Sequence, residues 1–395
     1  MKIFWKELPI KQLCYKVIDY RGKTPPKVSS GIKLVTARVI KEGRILEDVK
    51  HEYISEYLYS EVMRRGIPQI NDILITTEAP LGQIALVKTG EKIALAQRII
   101  LLRPNLDKVT PYFLYSMLRS PLIQSKLSSK ATGTTVAGIK NQELQKVMVP
   151  IPTLMEQKKI ANILACYDSL IENNLKQIKL LEELAQITYK EWFIHLRFPG
   201  YENTPINLDT GLPKNWGKVK LKRVIKLNYG KALKSDQRIL GTIPVYGSSG
   251  IIGWHNESLV NGPGIVVGRK GNVGNVFWTE NNFCPIDTVY FVTSKYSLHF
   301  IYFSLKQLKF DSHDAAVPGL NREAAYALEI NLPNQRLLST FSNYAIKIFS
   351  SIEILKKQNR LLKEARDILL PRLMTGLIDV EKYDSAKLLE KAITA

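Results

Sequence analysis

Apolar positions along this chain fall into two kinds of run. From Ile160 a spacing of three and four residues continues through Leu164, Tyr167, Ile171, Asn174, Ile178, Leu181, Ala185, Thr188 and Trp192, which is the pattern of one helix face. A second such run passes through Phe341, Ala345, Ile348, Ile352, Leu355, Asn359, Leu362, Arg366, Leu369 and Leu373. Each follows a proline-bearing lead-in, Pro150-Ile151-Pro152 and Leu332-Pro333, and the residue before a proline avoids the helical region. Pro199-Gly200 closes the first run and Gly376 the second. A helix of roughly 33 residues spans about 50 Å, more than the width of a small domain, so both are expected to project or act as spacers. Two long seams in one chain pair most simply with each other, here as an antiparallel coiled coil. Asn174 and Asn359 would then meet in one layer and hydrogen-bond, fixing the register.

Elsewhere the apolar runs are short and broken by Gly and Pro. Residues 73–77, 84–87 and 99–102 read as strands and 110–126 as a helix. Further on, 243–246, 264–267, 275–278 and 288–292 read as strands and 298–307 as a helix. The fold class is mixed α/β (α+β). The chain also repeats itself. Residues 138–193 align on 319–374 at a constant offset, placing Gly138 on Gly319, Pro152 on Pro333, Ile171-Glu172 on Ile352-Glu353 and Leu180-Leu181 on Leu361-Leu362. Further upstream the offset changes, with Gly82 on Gly274 and Trp5 on Trp216. Two copies of a length-variable globular unit, each followed by a fixed-length helix, account for this. The predicted division is a globular domain 1–153, a helix 154–196, a Pro-, Gly- and Asn-rich linker 197–211, a second globular domain 212–333, a helix 334–378 and a tail 379–395.

Composition sharpens the picture. With 395 residues, 45% hydrophobic and 23% charged, the chain is globular, neither disordered nor membrane-embedded. The start, MKIFWKELPIKQ, lacks the features of a signal peptide, so a cytoplasmic location is expected. Cys14, Cys166 and Cys284 are odd in number and widely spaced, which fits buried thiols in a reducing compartment better than disulfides or zinc. A formal charge of +20 makes a polyanion, nucleic acid first, the expected partner.

Motifs for catalysis are missing. Gly22-Lys23-Thr24 resembles the end of a phosphate loop, but position 17 is Val where that loop needs Gly. Gly268, Gly271 and Gly274 are spaced by threes rather than as GxGxxG. The five histidines show no metal spacing, and no cofactor or metal is expected in this chain. What remains are loops suited to DNA. Arg269-Lys270-Gly271-Asn272-Val273-Gly274-Asn275 combines cations, amides and glycines, groups that contact phosphates and read base edges. Its counterpart, Thr76-Thr77-Glu78-Ala79-Pro80-Leu81-Gly82-Gln83, keeps the turn and changes the chemistry, as two readers of different sequences would. The candidate DNA-contacting set is Lys23, Arg38, Thr77, Glu78, Gln83, Arg98 and Lys140 in the first domain, with Lys231, Lys234, Ser248, Arg269, Lys270, Asn272, Asn275 and Arg322 in the second. Polar hairpin tips and solvated surface cations are the competing reading of the same residues.

Several segments together resemble a known family. Gly138-Ile139-Lys140 running into Val149-Pro-Ile-Pro152, then Glu156-Gln157-Lys158 and Asp168-Ser-Leu-Ile171-Glu172, closed by Trp192-Phe193, look like the helix region of type I restriction-modification specificity (S) subunits. Leu212-Pro213-Lys-Asn-Trp216 and Leu370-Pro-Arg-Leu-Met-Thr-Gly376 are similar to the segments that open and close the second half. The second copy departs at Asn334-Gln335-Arg336, which weakens any claim of equivalent partner contacts. The resemblance implies a non-catalytic subunit that reads an asymmetric bipartite site in double-stranded DNA, one half per domain. It implies assembly with two modification (M) subunits, which bind S-adenosylmethionine, and up to two restriction (R) subunits. Leu175, Leu180, Leu184, Trp192 and Phe193 are the candidates for docking the M subunit, with core packing as the competing role. A specificity protein serving a methyltransferase without restriction, and a coiled-coil scaffold that binds DNA without sequence preference, remain open alternatives.

Overall fold

The computed structural model describes residues 5–20, 25–47, 49–133, 136–310 and 319–382. The chain divides into two compact units, residues 1–172 with 359–395, and residues 173–358. These units cut across the linear division expected above, because each takes in part of both long helices.

In the first unit the strands are β1 (Cys14–Asp19), β2 (Ile32–Val35), β3 (Ile73–Thr76), β4 (Ile84–Leu86), β5 (Ile93–Leu95) and β6 (Ile99–Pro104). The main sheet is antiparallel in the order β1-β6-β3-β4. Beside it, β2 pairs in parallel with β5 and antiparallel with Glu52–Ile54. β3 is apolar at successive positions because both faces of the sheet are covered. Ile73 and Ile75 pack with Phe113, Met117 and Ile160, while Leu74 packs on the other side with Leu34, Val35 and Leu101. The helix expected over 110–126 is two, Pro111–Arg119 and Pro121–Ser129. Pro121 excludes the helical region at Ser120, which sits in extended backbone at ψ 147°. The Ser120 hydroxyl then caps the second helix, accepting from the Ile123 amide at 3.4 Å.

Each long helix has 40 residues, Leu154–Phe193 and Gln335–Met374. The first opens with a capping box, in which the Thr153 amide donates to Glu156 Oε2 at 2.9 Å and the Glu156 amide to Thr153 Oγ1 at 3.3 Å. The second opens on Asn334, whose Oδ1 accepts from the Leu337 amide at 2.9 Å. Gly376, at φ +68°, follows the second helix as a C-terminal stop. The two run antiparallel within each unit. In the first, Asp168 pairs with Arg366 at 2.7 Å and Asn359 donates to the Ile171 carbonyl at 3.4 Å. In the second, Asn174 donates to Gln358 at 3.4 Å and Phe193 meets Phe341 at 5.0 Å between ring centroids. The direct amide pair expected between Asn174 and Asn359 is thus replaced by two separate bonds, each asparagine finding its partner inside its own unit.

The second unit repeats the first. Its strands β7 (Ile225–Tyr229), β8 (Ile243–Gly247), β9 (Gly250–His255), β10 (Gly264–Gly268), β11 (Val276–Thr279) and β12 (Val289–Ser294) include an antiparallel sheet in the order β7-β12-β10-β11. β8 pairs in parallel with Cys284–Pro285, as β2 does with β5. Even the strands that open each globular part match: Lys6–Pro9 pairs with Met148–Ile151, and Gly217–Lys220 with Glu329–Leu332. Trp5 packs edge-on to Phe113, and Trp216 against Phe193. The stretch expected to be a linker is folded down onto this unit. Phe198 is buried and lies 5.3 Å from Trp216, and the Asn207 amide bonds the Leu212 carbonyl at 2.8 Å. All three cysteines are free; Cys284 is buried, while Cys14 and Cys166 are half-buried rather than buried as expected.

His299 sits where the second unit's globular part meets its long helix, 4.5 Å from Trp278 and 4.9 Å from Phe349. Burial lowers its pKa from 6.5 to about 4. The unfolded chain therefore binds the proton more readily between those values. Stability of this unit is expected to be complete above about pH 6.5 and to decline as the pH falls toward about 4. Thermal denaturation followed against pH should show that decline, and His299→Phe should remove it.

Candidate nucleic-acid interface

Two loops occupy the same place in the two units and share one backbone. In the first, the Thr76 amide donates to the Gln83 carbonyl at 2.9 Å, and the Gly82 amide to the Thr76 carbonyl at 2.9 Å. In the second, Gly268 donates to the Asn275 carbonyl at 2.8 Å and Gly274 to the Gly268 carbonyl at 2.9 Å. Gly82 and Gly274 both adopt φ +76°, a left-handed conformation in which glycine carries no Cβ penalty. The loops are anchored alike as well. Thr77 bonds the Arg98 carbonyl and accepts from the Ile139 amide, just as Arg269 bonds the Thr288 carbonyl and accepts from the Leu320 amide. A common skeleton therefore presents different side chains.

In the first unit the skeleton brings five of the candidates together. Thr77, Glu78, Arg98 and Lys140 line a cleft of about 360 Å³. Arg38 and Arg98 line an adjoining one of about 350 Å³. Arg98 Nε pairs with Glu78 Oε1 at 2.8 Å across an exposed surface, so each presents both a charge and an opposite neighbour. Gln97 lines both clefts and was not singled out from the sequence. Its only signal there is its place beside Arg98, just before β6. Gln83 closes the loop through its backbone and is half-buried. Lys23 lies outside the described residues.

In the second unit Lys270, Asn272 and Asn275 are exposed on the loop. Ser248, in the β8–β9 turn, is its neighbour: a Cβ on Gly271 would lie 3.3 Å from the Ser248 hydroxyl. Lys231 and Lys234 are exposed on the segment after β7. Arg269 is not the free tip that the sequence suggests. It is half-buried, donates to the Asp287 carbonyl at 2.8 Å, and lies 4.9 Å from the Tyr229 ring centroid. Arg322 approaches the same ring at 5.3 Å. Burial, with the Tyr229 hydroxyl alongside, pushes the Tyr290 phenol beneath them up to about 12.

The five docking candidates separate by burial. Leu180 and Leu184 are 63% and 45% exposed, and Leu175 is half-buried. Phe193 is 1% exposed, locked between Phe300 and Phe341. Trp192 meets Phe341 edge-on and stacks on Tyr344. These two aromatics belong to the second unit's core because the helix turns them onto the globular part. Among the described residues no group of three or more His, Cys, Asp or Glu side chains is placed to hold a metal ion, and no helix is long and apolar enough to cross a membrane.

A duplicated α/β module, with matching loops that carry unlike polar and cationic side chains, defines a recognition protein with two heads. The sequence matches the family described as "Type I restriction modification DNA specificity domain" over residues 5–183 and again over 213–363. The chain belongs to this family, as a type I restriction-modification specificity subunit with two target-recognition domains. It is 28% identical over 363 residues to the MjaIX specificity subunit of Methanocaldococcus jannaschii, covering 83% of this chain and 82% of that one. It is 24% identical over 414 residues to the putative MjaX specificity subunit of the same organism, covering 95% and 94%. The crystal structure of the type I S subunit from M. genitalium shares the fold, with a TM-score of 0.55 at 19% identity over 93% of this chain and 96% of that one.

Proposed function

We propose that this chain is the non-catalytic reader of a cytoplasmic type I complex, in which each domain recognises one half of an asymmetric bipartite site in double-stranded DNA. Two M subunits, which bring S-adenosylmethionine and methylate adenine, and up to two R subunits would assemble on it. The observation that carries this reading is the pair of loops with one backbone and unlike chemistry. Phosphate contacts position each domain, while the tips read base edges. Asn272 and Asn275 carry the amide that makes bidentate bonds to adenine, Lys270 suits guanine, and Glu78 accepts from the cytosine amino group. The exposed leucines Leu180 and Leu184, one helical turn apart on the same face, offer the M subunit an apolar patch.

Replacing Asn272 by Ala in the assembled complex is expected to relax readout at one half-site by about 1–3 kcal/mol and to leave the other half-site unchanged. Binding to a panel of duplexes with single substitutions in each half-site measures this. Equal weakening on every duplex would assign Asn272 to the backbone instead of a base.

A further inference from the structure

Among the described residues the second domain carries a cationic arrangement that the first does not. Tyr229 ends β7 and is 50% exposed. Its ring packs 5.1 Å from Tyr290, and the guanidinium carbons of Arg269 and Arg322 lie 4.9 and 5.3 Å from its centroid. A backbone bond from the Leu320 amide to the Arg269 carbonyl, 2.8 Å long, ties the two arginine-bearing segments together. Arg322 Nε is buried without a hydrogen-bond partner. The nearest acidic neighbour in sequence, Glu323, faces Lys222 at 4.0 Å, and among the described residues neither arginine is ion-paired. Two like charges are thus gathered at one half-exposed ring, with Lys270 adjoining. In the first domain, the strand position matching Tyr229 is held by Asp19, paired with Ile100 as Tyr229 is with Tyr290.

We propose that Arg269 and Arg322, held against Tyr229, form a clamp for one backbone phosphate of DNA, with Tyr229 as the positioning residue. The inference rests on the DNA-reading function above and places Arg269 on the DNA backbone rather than on a base. A base reader must protrude into a groove, whereas Arg269 is half-buried and has one N–H fixed on the Asp287 carbonyl. A phosphodiester lies at the duplex surface and offers two free oxygens, one for each guanidinium. The face of the tyrosine ring is negative, so it holds both cations and offsets their repulsion when no DNA is bound. The clamp would give the second domain a firm, sequence-independent hold on DNA.

The test uses the complete complex with its M subunits and measures Kd on site-bearing and unrelated duplexes across a salt series. Arg322→Ala is expected to raise Kd about tenfold on every duplex alike and to make the slope of log K against log salt shallower by about one. Tyr229→Leu should do the same, while Tyr229→Phe, which keeps the ring, should behave like the parent. A loss confined to duplexes bearing one half-site would make Arg322 a base reader. Unchanged Kd and slope would reduce the cluster to an internal brace. If the parent complex prefers no sequence, the specificity reading fails, and the slope comparison still decides the clamp.

Discussion

Replacing Asp168 by Ala is expected to destabilise the first unit by about 3–5 kcal/mol, the cost of stranding a buried charge pair's partners. Asp168 Oδ2 accepts from the Tyr112 hydroxyl at 2.6 Å and from Arg119 at 3.1 Å, and its Oδ1 accepts from Arg366 at 2.7 Å. Side-chain exposure is 13% for the aspartate, 15% for Arg119 and 11% for Arg366. The carboxylate therefore joins three elements: the short helix Pro111–Arg119 of the globular part and both long helices. Burial alone would raise its pKa. Arg119, the Tyr112 hydroxyl and Arg366 outweigh that and hold it below its ordinary value of 3.8. A depressed carboxylate pKa adds stability that is present above the unfolded value and lost as the pH falls through the folded one, so the contribution should vanish only in strong acid. Urea denaturation of the parent and of Asp168→Ala measures the difference; a loss under about 1 kcal/mol would show that the network contributes little.

The same position in the second copy is Phe349, packed with His299 and Trp278. One unit therefore joins globular part to helix by a buried ion network and the other by rings packed edge to face. Their responses to pH should differ accordingly, with the second unit weakening between about 6.5 and 4 through His299 while the first holds.

Phe193→Ala is the second large effect, with an expected loss of about 3–5 kcal/mol from the second unit. The ring is fully enclosed by Phe300, Phe341, Tyr189 and Trp216, and the surrounding rings are too rigid to fill the space. Leu180→Ala gives the contrast. At 63% exposure it should change stability by no more than about 0.5 kcal/mol, yet weaken association with the M subunit. Denaturation and co-purification, measured on both variants, separate core from docking surface. A Phe193→Ala protein of unchanged stability would contradict this packing.

The long helices were legible because a seam of three- and four-residue spacing over many turns has no other reading, and a proline stands just before each of them. Their first turns and ends depended on caps. Gly376 signalled one end, but the first helix is followed by Leu196 at φ +62°, a conformation that a leucine does not advertise. Strands buried on both faces, such as β3, were visible as apolar runs. The edge strands β1 and β7 were not, since Cys14-Tyr15-Lys16-Val17-Ile18-Asp19 shows little of its pairing in its own pattern. The site was half legible. Repeat alignment located both loops, and the exposed Lys270, Asn272 and Asn275 follow from it. Which cation would be free did not follow. Arg269 and Lys270 are neighbours of equal charge, and only the Tyr229 ring and the Asp287 carbonyl, distant in sequence, decide that the first turns inward.

Two domains of one chain that read two different half-sites should reveal both in a selection from a randomised duplex library at fixed salt. The complex, purified with its M subunits and supplied with S-adenosylmethionine, should enrich duplexes carrying two unlike motifs at a fixed separation. Salt-sensitive binding with no enriched sequence, from a properly assembled complex, would rule out two-site reading and leave the charge of +20 as a general affinity for polyanions.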